Sequence, residues 1–201
     1  MLLVGKGSPY KTADELIAAA KAEPGKVNFS NAGVGSTSHL VAALFSSRAG
    51  IDVTQVAYKG AAPAINDLIG GQVDAMFDQS NTALPQVQGG RLKAIALTSL
   101  TPMPQQYPGA APLAEKALPG FEAATWYGLY APKGTSGDIV QKMHQAYLKA
   151  LTDKAWTERM TGQGISLLPQ AQYAPDAFAK FTAAEVQRWR KVVADAKIQL
   201  D

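Results

Sequence analysis

Residues 28 to 40 read NFSNAGVGSTSHL, a stretch rich in hydroxyls and in backbone freedom. Gly33 and Gly35 permit backbone angles that other residues disfavour, so successive N–H groups can turn into one concavity. Ser36, Thr37 and Ser38 offer hydroxyls and an N-cap where a helix begins. A helix start with free N–H groups and the positive end of its dipole attracts anions. The loop holds no Lys or Arg, so its donors are neutral, which suits a small carboxylate better than a polyanion. The competing reading is a purely structural strand-to-helix turn, because glycine and serine favour such turns for geometric reasons alone. The stretch is not a P-loop, since no Gly-Lys-Ser/Thr follows. Nor is it a dinucleotide fingerprint, because Ser38 stands where the third glycine belongs.

Other reactive side chains are few. Ser36, His39 and Asp78 have the types of a hydrolytic triad, and Ser36 and His39 lie three apart at a helix start. No G-x-S-x-G elbow frames the serine, however. Packing of His39 beneath the loop, or a bond from it to a backbone carbonyl, competes with a base role. His39 and His144 are the only histidines and no cysteine is present, so neither a thiolate site nor a metal cluster at ligand spacing is offered. His144 falls on an amphipathic helix and reads as a surface or partly buried residue. Lys59 either meets a ligand carboxylate or is solvated. Asp78 either receives a ligand amino or hydroxyl group or caps the next helix. Tyr58 and Trp126 either wall a pocket or belong to the core.

These residues need elements to hold them. Thr12-Ala13-Asp14-Glu15 has the form of a capping box ahead of a helix that Pro24-Gly25 ends. Strands are expected at Val27–Phe29, Val53–Ala57, Val73–Phe77 and Leu92–Thr98, with helices between them, and Leu2–Val4 reads as the end of a strand. This alternation argues for an open α/β sheet. Ligands in such sheets sit beyond the carboxyl ends of the strands, and Ser30–His39, Tyr58–Ala61 and Asp78–Thr82 all fall there. After Ser99 five prolines up to Pro119 punctuate a loop-rich stretch with a short helix at Leu113–Ala117. Phe121–Ala131 reads as extended. Helices follow at Asp138–Leu151, Ala155–Met160 and Tyr173–Ala196, with a short strand at Ile165–Leu168. That C-terminal part has apolar helix faces but little sheet to cover them, so the covering layer is expected to lie outside the chain or on a partner.

Composition narrows the function classes. With 201 residues, 47% hydrophobic and 17% charged, the chain is ordinary globular material of one large or two small domains. A net charge of +3, scattered along the chain, does not argue for nucleic acid. No apolar run approaches transmembrane length. The opening MLLVGKG lacks the charged start and long apolar core of a signal peptide.

Taken together, NFSNAGVGSTSHL, VAYKGAAPAINDLIGGQVDAMFDQ, ALPQVQGGRLKAIALTS, LPGFEAATWYGLYAPKGT and the ending WRKVVADAKIQLD resemble the tripartite tricarboxylate transporter substrate-binding proteins, the Bug family of Bordetella and its relatives. The resemblance implies an α/β, type II periplasmic-binding-protein-like fold whose two lobes close on a small organic acid. It implies a non-enzymatic, periplasmic receptor that works with the membrane components of a tripartite tricarboxylate transporter and requires no cofactor. Ligand contacts carry over to Ser30, Asn31, Ala32, Gly33, Val34, Gly35, Ser36 and Thr37, with His39 beside them, to Tyr58, Lys59 and Gly60, and to Asp78. Family members are about half as long again and clamp the ligand with a loop of the first lobe that has no counterpart here. The expectation is therefore one complete open α/β lobe over residues 5–124. Residues 125–201 are expected to be an incomplete, mainly helical part of the other lobe, and the chain a truncated form or fragment. A hydrolase using Ser36 and His39 is the alternative from another class. An interaction module, forming a homodimer through the incomplete lobe, is the third reading.

Overall fold

The computed structural model describes residues 1–199, so the last two residues of the WRKVVADAKIQLD ending lie outside the described residues. They form two compact units. The first comprises Met1–Thr125 with the described residues from Lys191 on, and the second comprises Trp126–Arg190.

The first unit is built on a five-stranded mixed sheet. Strands β1 (Leu2–Gly5), β2 (Asn28–Asn31), β3 (Thr54–Ala57), β4 (Ala75–Phe77) and β5 (Leu92–Ala96) lie in the order β3-β2-β4-β1-β5. β2 pairs in parallel with both β3 and β4, whereas β1 runs antiparallel to β4 and β5. The alternation of strands and helices in sequence predicts the parallel strands but not the reversed one. The carboxyl ends of β3, β2 and β4 therefore stand side by side on one edge of the sheet. Because β1 enters from that same edge, the Met1 nitrogen donates to the Asp78 carbonyl oxygen at 2.8 Å.

Helices cover both faces, which is why short strands with little alternation suffice. Helix α1 (Ala13–Ala22) is capped by Thr12, whose Oγ1 accepts the Glu15 N–H at 3.2 Å. The Glu15 carboxylate reaches back to the Lys11 N–H at 2.6 Å, one residue before the cap. On one face Phe29 of β2 and Phe77 of β4 meet Phe45 of helix α2 (Thr37–Ala49), and Phe121 closes the group, with ring centroids 5.3 to 6.2 Å apart. On the other face Leu3 and Met76 pack with Ala64, Ile65 and Leu68 of helix α3 (Ala61–Ile69) and with Leu84 of helix α4 (Ser80–Gln88). Each fully buried Phe or Leu of these layers contributes about 1.5–3 kcal/mol by leaving water.

The second unit carries α5 (Gly137–Leu151), α6 (Lys154–Gly162) and most of α7 (Pro175–Asp195). Neither α5 nor α6 has a buried residue. Trp126 stacks edge-on against Phe178 and Phe181 at 5.8 and 5.2 Å between centroids. The strand expected at Ile165–Leu168 does not form: these residues make no ladder, and the Leu168 N–H donates to Tyr173 Oη at 2.7 Å. An apolar run becomes a strand only where a neighbour satisfies its backbone groups, and among the described residues all five strands lie in the first unit. No helix of the described residues is long and apolar enough to cross a membrane.

Candidate functional site

The three segments singled out by their place after a strand come together at the carboxyl edge of the sheet. β2 is flanked by β3 and β4, so the glycine loop that follows it lies between the Tyr58 turn and Asp78. The Tyr58 N–H donates to the Asn31 carbonyl at 3.0 Å. Gly33 and Gly35 have φ of 122° and 76°. A Cβ on Gly33 would also stand 3.3 Å from the Tyr58 carbonyl oxygen, so glycine serves there for its conformation and for the close approach of the two turns.

Inside the loop the donors divide into two sets. Ala32 N–H donates to Ser38 Oγ at 2.9 Å, Gly33 N–H to Asn31 Oδ1 at 3.0 Å, Gly35 N–H to His39 Nδ1 at 3.1 Å and Ser36 N–H to the Gly33 carbonyl at 3.1 Å. The N–H groups of Val34, Thr37 and Ser38 form no such bond. The last two are the open donors of the first turn of α2, which every helix leaves unpaired. Ser36 is the N-cap: its Oγ accepts the His39 N–H at 3.3 Å and lies 3.1 Å from Ser38 Oγ. The result is a turn whose remaining donors are all neutral, at the positive end of a helix dipole.

The remaining predicted residues take distinct places. Ser30 is fully buried and its hydroxyl bonds the Ala64 carbonyl at 3.3 Å, so it braces β2 against α3. Asn31 is also fully buried; its amide Nδ2 donates to Gln55 Oε1 at 3.2 Å, while Oδ1 holds Gly33. Tyr58 Oη donates to Asp67 at 2.7 Å, and that bond is the first cause of the raised pKa of the phenol. Lys59 is exposed, and Gly60, at φ 110°, starts α3. Asp78 lies beside the loop's strand, and one carboxylate oxygen accepts the Thr82 hydroxyl at 2.7 Å. Burial pushes the Asp78 carboxyl up, against the hydrogen bonds from Thr82 and the Gln79 backbone.

His39 holds the loop from beneath, as one of its two structural readings has it, but as an acceptor. Its ring accepts a backbone N–H rather than donating to a carbonyl. An Nδ1 that accepts must be unprotonated, so the neutral ring carries its proton on Nε2. Burial lowers the pKa of this ring. Ser36 Oγ is bonded to the backbone of His39 and not to its ring, so nucleophile, base and orienting acid are not assembled. One residue, Gln55, escapes the sequence reading, and another, Ser38, is read as a hydroxyl but not for its closing role. Gln55 steadies Asn31 and also reaches the His39 carbonyl at 3.5 Å; a glutamine inside a strand, opposite the glycine loop's own strand, is the signal. Ser38 is the hydroxyl on which the loop closes, and its position two residues after the N-cap marks it.

The description "Tripartite tricarboxylate transporter family receptor" belongs to a family model that matches residues 1–198. BugT of Bordetella pertussis is 35% identical over 187 residues, which are 93% of this chain and 56% of BugT. MatC of Rhodopseudomonas palustris, solved with bound malate, superposes with a TM-score of 0.84 at 33% identity, over 96% of this chain and 65% of MatC. Rpa4515 of R. palustris, solved with adipate, gives 0.85 at 29% identity, over 98% of this chain and 65% of that protein. The chain thus spans little more than half of the curated relative and about two thirds of the solved ones.

Proposed function

The chain belongs to the tripartite tricarboxylate transporter receptor family, and from that premise we propose that its glycine loop captures a small organic carboxylate in the periplasm for the membrane components of such a transporter. The observation that carries this reading is the donor set. Among the described residues the N–H groups of Val34, Thr37 and Ser38, within one loop and helix start, take no protein acceptor, and residues 31–38 hold no cation. Three such donors fall within the four lone-pair sites of one carboxylate, and a helix start with neutral donors suits a single negative charge. Ser36 and Thr37 add hydroxyls at the rim. Tyr58, Lys59 and Gly60 form the wall from β3, and Asp78, with its carboxyl pushed up by burial, receives a hydroxyl or amino group of the ligand.

In this reading residues 5–124 are the lobe that carries the loop, and residues 125–201 belong to the other lobe of a type II receptor. Closure of two lobes completes the hydrogen bonds and excludes water. The chain by itself is therefore a weak binder. Malate and adipate, the acids in the two solved relatives, are the first probes. A ligand that binds only the folded state raises the melting midpoint by mass action. The expected result is a small rise with one of these acids at millimolar concentration, absent in Gly35→Val. A rise that persists in Gly35→Val places the acid elsewhere and defeats the proposal. A second copy of the chain meeting the exposed apolar residues of the second unit is the further arm of this reading. Its sign is a mass that grows with concentration.

A further inference from the structure

We propose that His39 is a positioning residue for the anion loop: it closes the capping box of α2 as an uncharged acceptor, fixing Gly35 while keeping negative charge away from the ligand. The argument starts from a comparison within the chain. Counted from the N-cap, Glu15 of α1 and His39 of α2 occupy the same third helical position. In both helices the cap hydroxyl, of Thr12 or Ser36, accepts the N–H of that third residue. In both, the third residue's side chain reaches back to the N–H one residue before the cap, Lys11 in one case and Gly35 in the other. Glutamate or glutamine is the usual occupant of this position.

α1 uses the carboxylate and α2 does not. A carboxylate at residue 39 would satisfy Gly35 equally well, and it would add favourable charge at the helix start. It would also repel a bound carboxylate about one helical turn away. Neutral imidazole gives the acceptor without the charge. No charge on the loop or on the strands beside it favours the imidazolium. Residues 31–38 contain no titratable side chain, nor do β2, β3 and β4. Arg48, the charged residue of α2, is turned to the Pro119 carbonyl at the far end of that helix. Gln55 is the β3 side chain that reaches His39, and it is neutral. The bond to Gly35 disappears on protonation, because Nδ1 then becomes a donor.

The inference rests on the carboxylate reading above, and the test separates the two. Uniformly 15N-labelled chain gives the His39 tautomer from its ring nitrogen shifts and the protection of the Gly35 amide from hydrogen exchange, both without ligand. The expected results are an Nε2–H tautomer, and a protected Gly35 amide in wild type, His39→Gln and His39→Glu but not in His39→Leu. With malate as probe, His39→Gln keeps most of the affinity. His39→Glu loses about tenfold and His39→Leu a similar amount, the size of one hydrogen bond or one like-charge contact. An Nδ1–H tautomer, a Gly35 amide indifferent to His39→Leu, or equal malate affinities for the Glu and Gln variants overturns the proposal. If neither malate nor adipate binds wild type while the tautomer and Gly35 protection are as expected, the carboxylate reading fails and the cap role stands.

Discussion

The two units of the molecule use similar helices to different ends. In the first, α2 and α3 lie on opposite faces of a sheet, and Phe45, Ala64 and Leu68 disappear from solvent. In the second, no residue of α5 or α6 is buried, and Tyr127, Leu129 and Tyr130 are 70%, 67% and 66% exposed. The apolar positions of α5, Ile139, Val140, Met143, Tyr147 and Leu151, are spaced as well as those of any buried helix, yet Ile139 and Met143 stay exposed. Helical periodicity thus prescribes a face, and only a second layer turns that face into a core. The sheet is also what gathers the candidate segments: three parallel strand ends fix three turns at one edge, which helices alone do not supply.

The sharpest way to break this contrast is a matched pair of truncations. Phe45→Ala removes the ring shared by Phe29, Phe77 and Phe121, and a loss of about 3–5 kcal/mol in urea unfolding is expected. Phe181→Ala, in the second unit, should cost less than about 1.5 kcal/mol, because the ring is 42% exposed and has little transfer energy to lose. Equal losses would mean that the second unit has a core of its own. Gly33→Ala comes next. Its φ of 122° and the 3.3 Å approach to the Tyr58 carbonyl predict about 1–2 kcal/mol of destabilisation. Gly137→Ala in α5 has open space around it and should be neutral or slightly stabilising in the same melts.

How much of this was legible in the sequence follows the same division. The glycine loop, its N-cap and the shared sheet edge of the three candidate segments were readable, because Gly33, Gly35 and Ser36 are demanded by backbone geometry that leaves a local trace. The direction of β1 was not, since a period-two pattern is the same in either direction. The ladder of Ile165–Leu168 was wrongly expected because four residues cannot announce whether a neighbour exists. The acceptor role of His39 was hidden for another reason: a histidine side chain has two nitrogens, and only the position of Gly35 decides which is bare.

A smaller effect is expected from pH. The native state disfavours charged His39, so its pKa lies below 6.5, the value of the unfolded chain. The unfolded chain therefore takes up the proton first. The contribution is complete above pH 6.5 and is lost as pH falls through the window down to the native pKa. Urea midpoints measured from pH 7.5 to pH 5 should fall less in His39→Gln than in wild type, and parallel curves would exclude the linkage. The smallest effect belongs to the exposed Lys191–Asp195 pair, at 2.8 Å with side chains 76% and 53% accessible. Lys191→Ala should shift stability by no more than about 0.5 kcal/mol, and 0.5 M salt should erase the difference.

The two serine hydroxyls of the loop hold a choice of direction. Ser38 Oγ takes the Ala32 N–H, Ser36 Oγ takes the His39 N–H, and the two oxygens face one another. One proton bridges them, which leaves a single O–H over. In the empty loop that surplus can sit on either serine. An anion bound as proposed would draw it to Ser36, the less buried of the two. Ser38 must then donate to Ser36, and the dipoles from Ala32 through Ser38 and Ser36 align toward the anion, each strengthening the next. With such a ligand the pair would act as a rectifier, undirected at rest and polarised one way by the anion's charge.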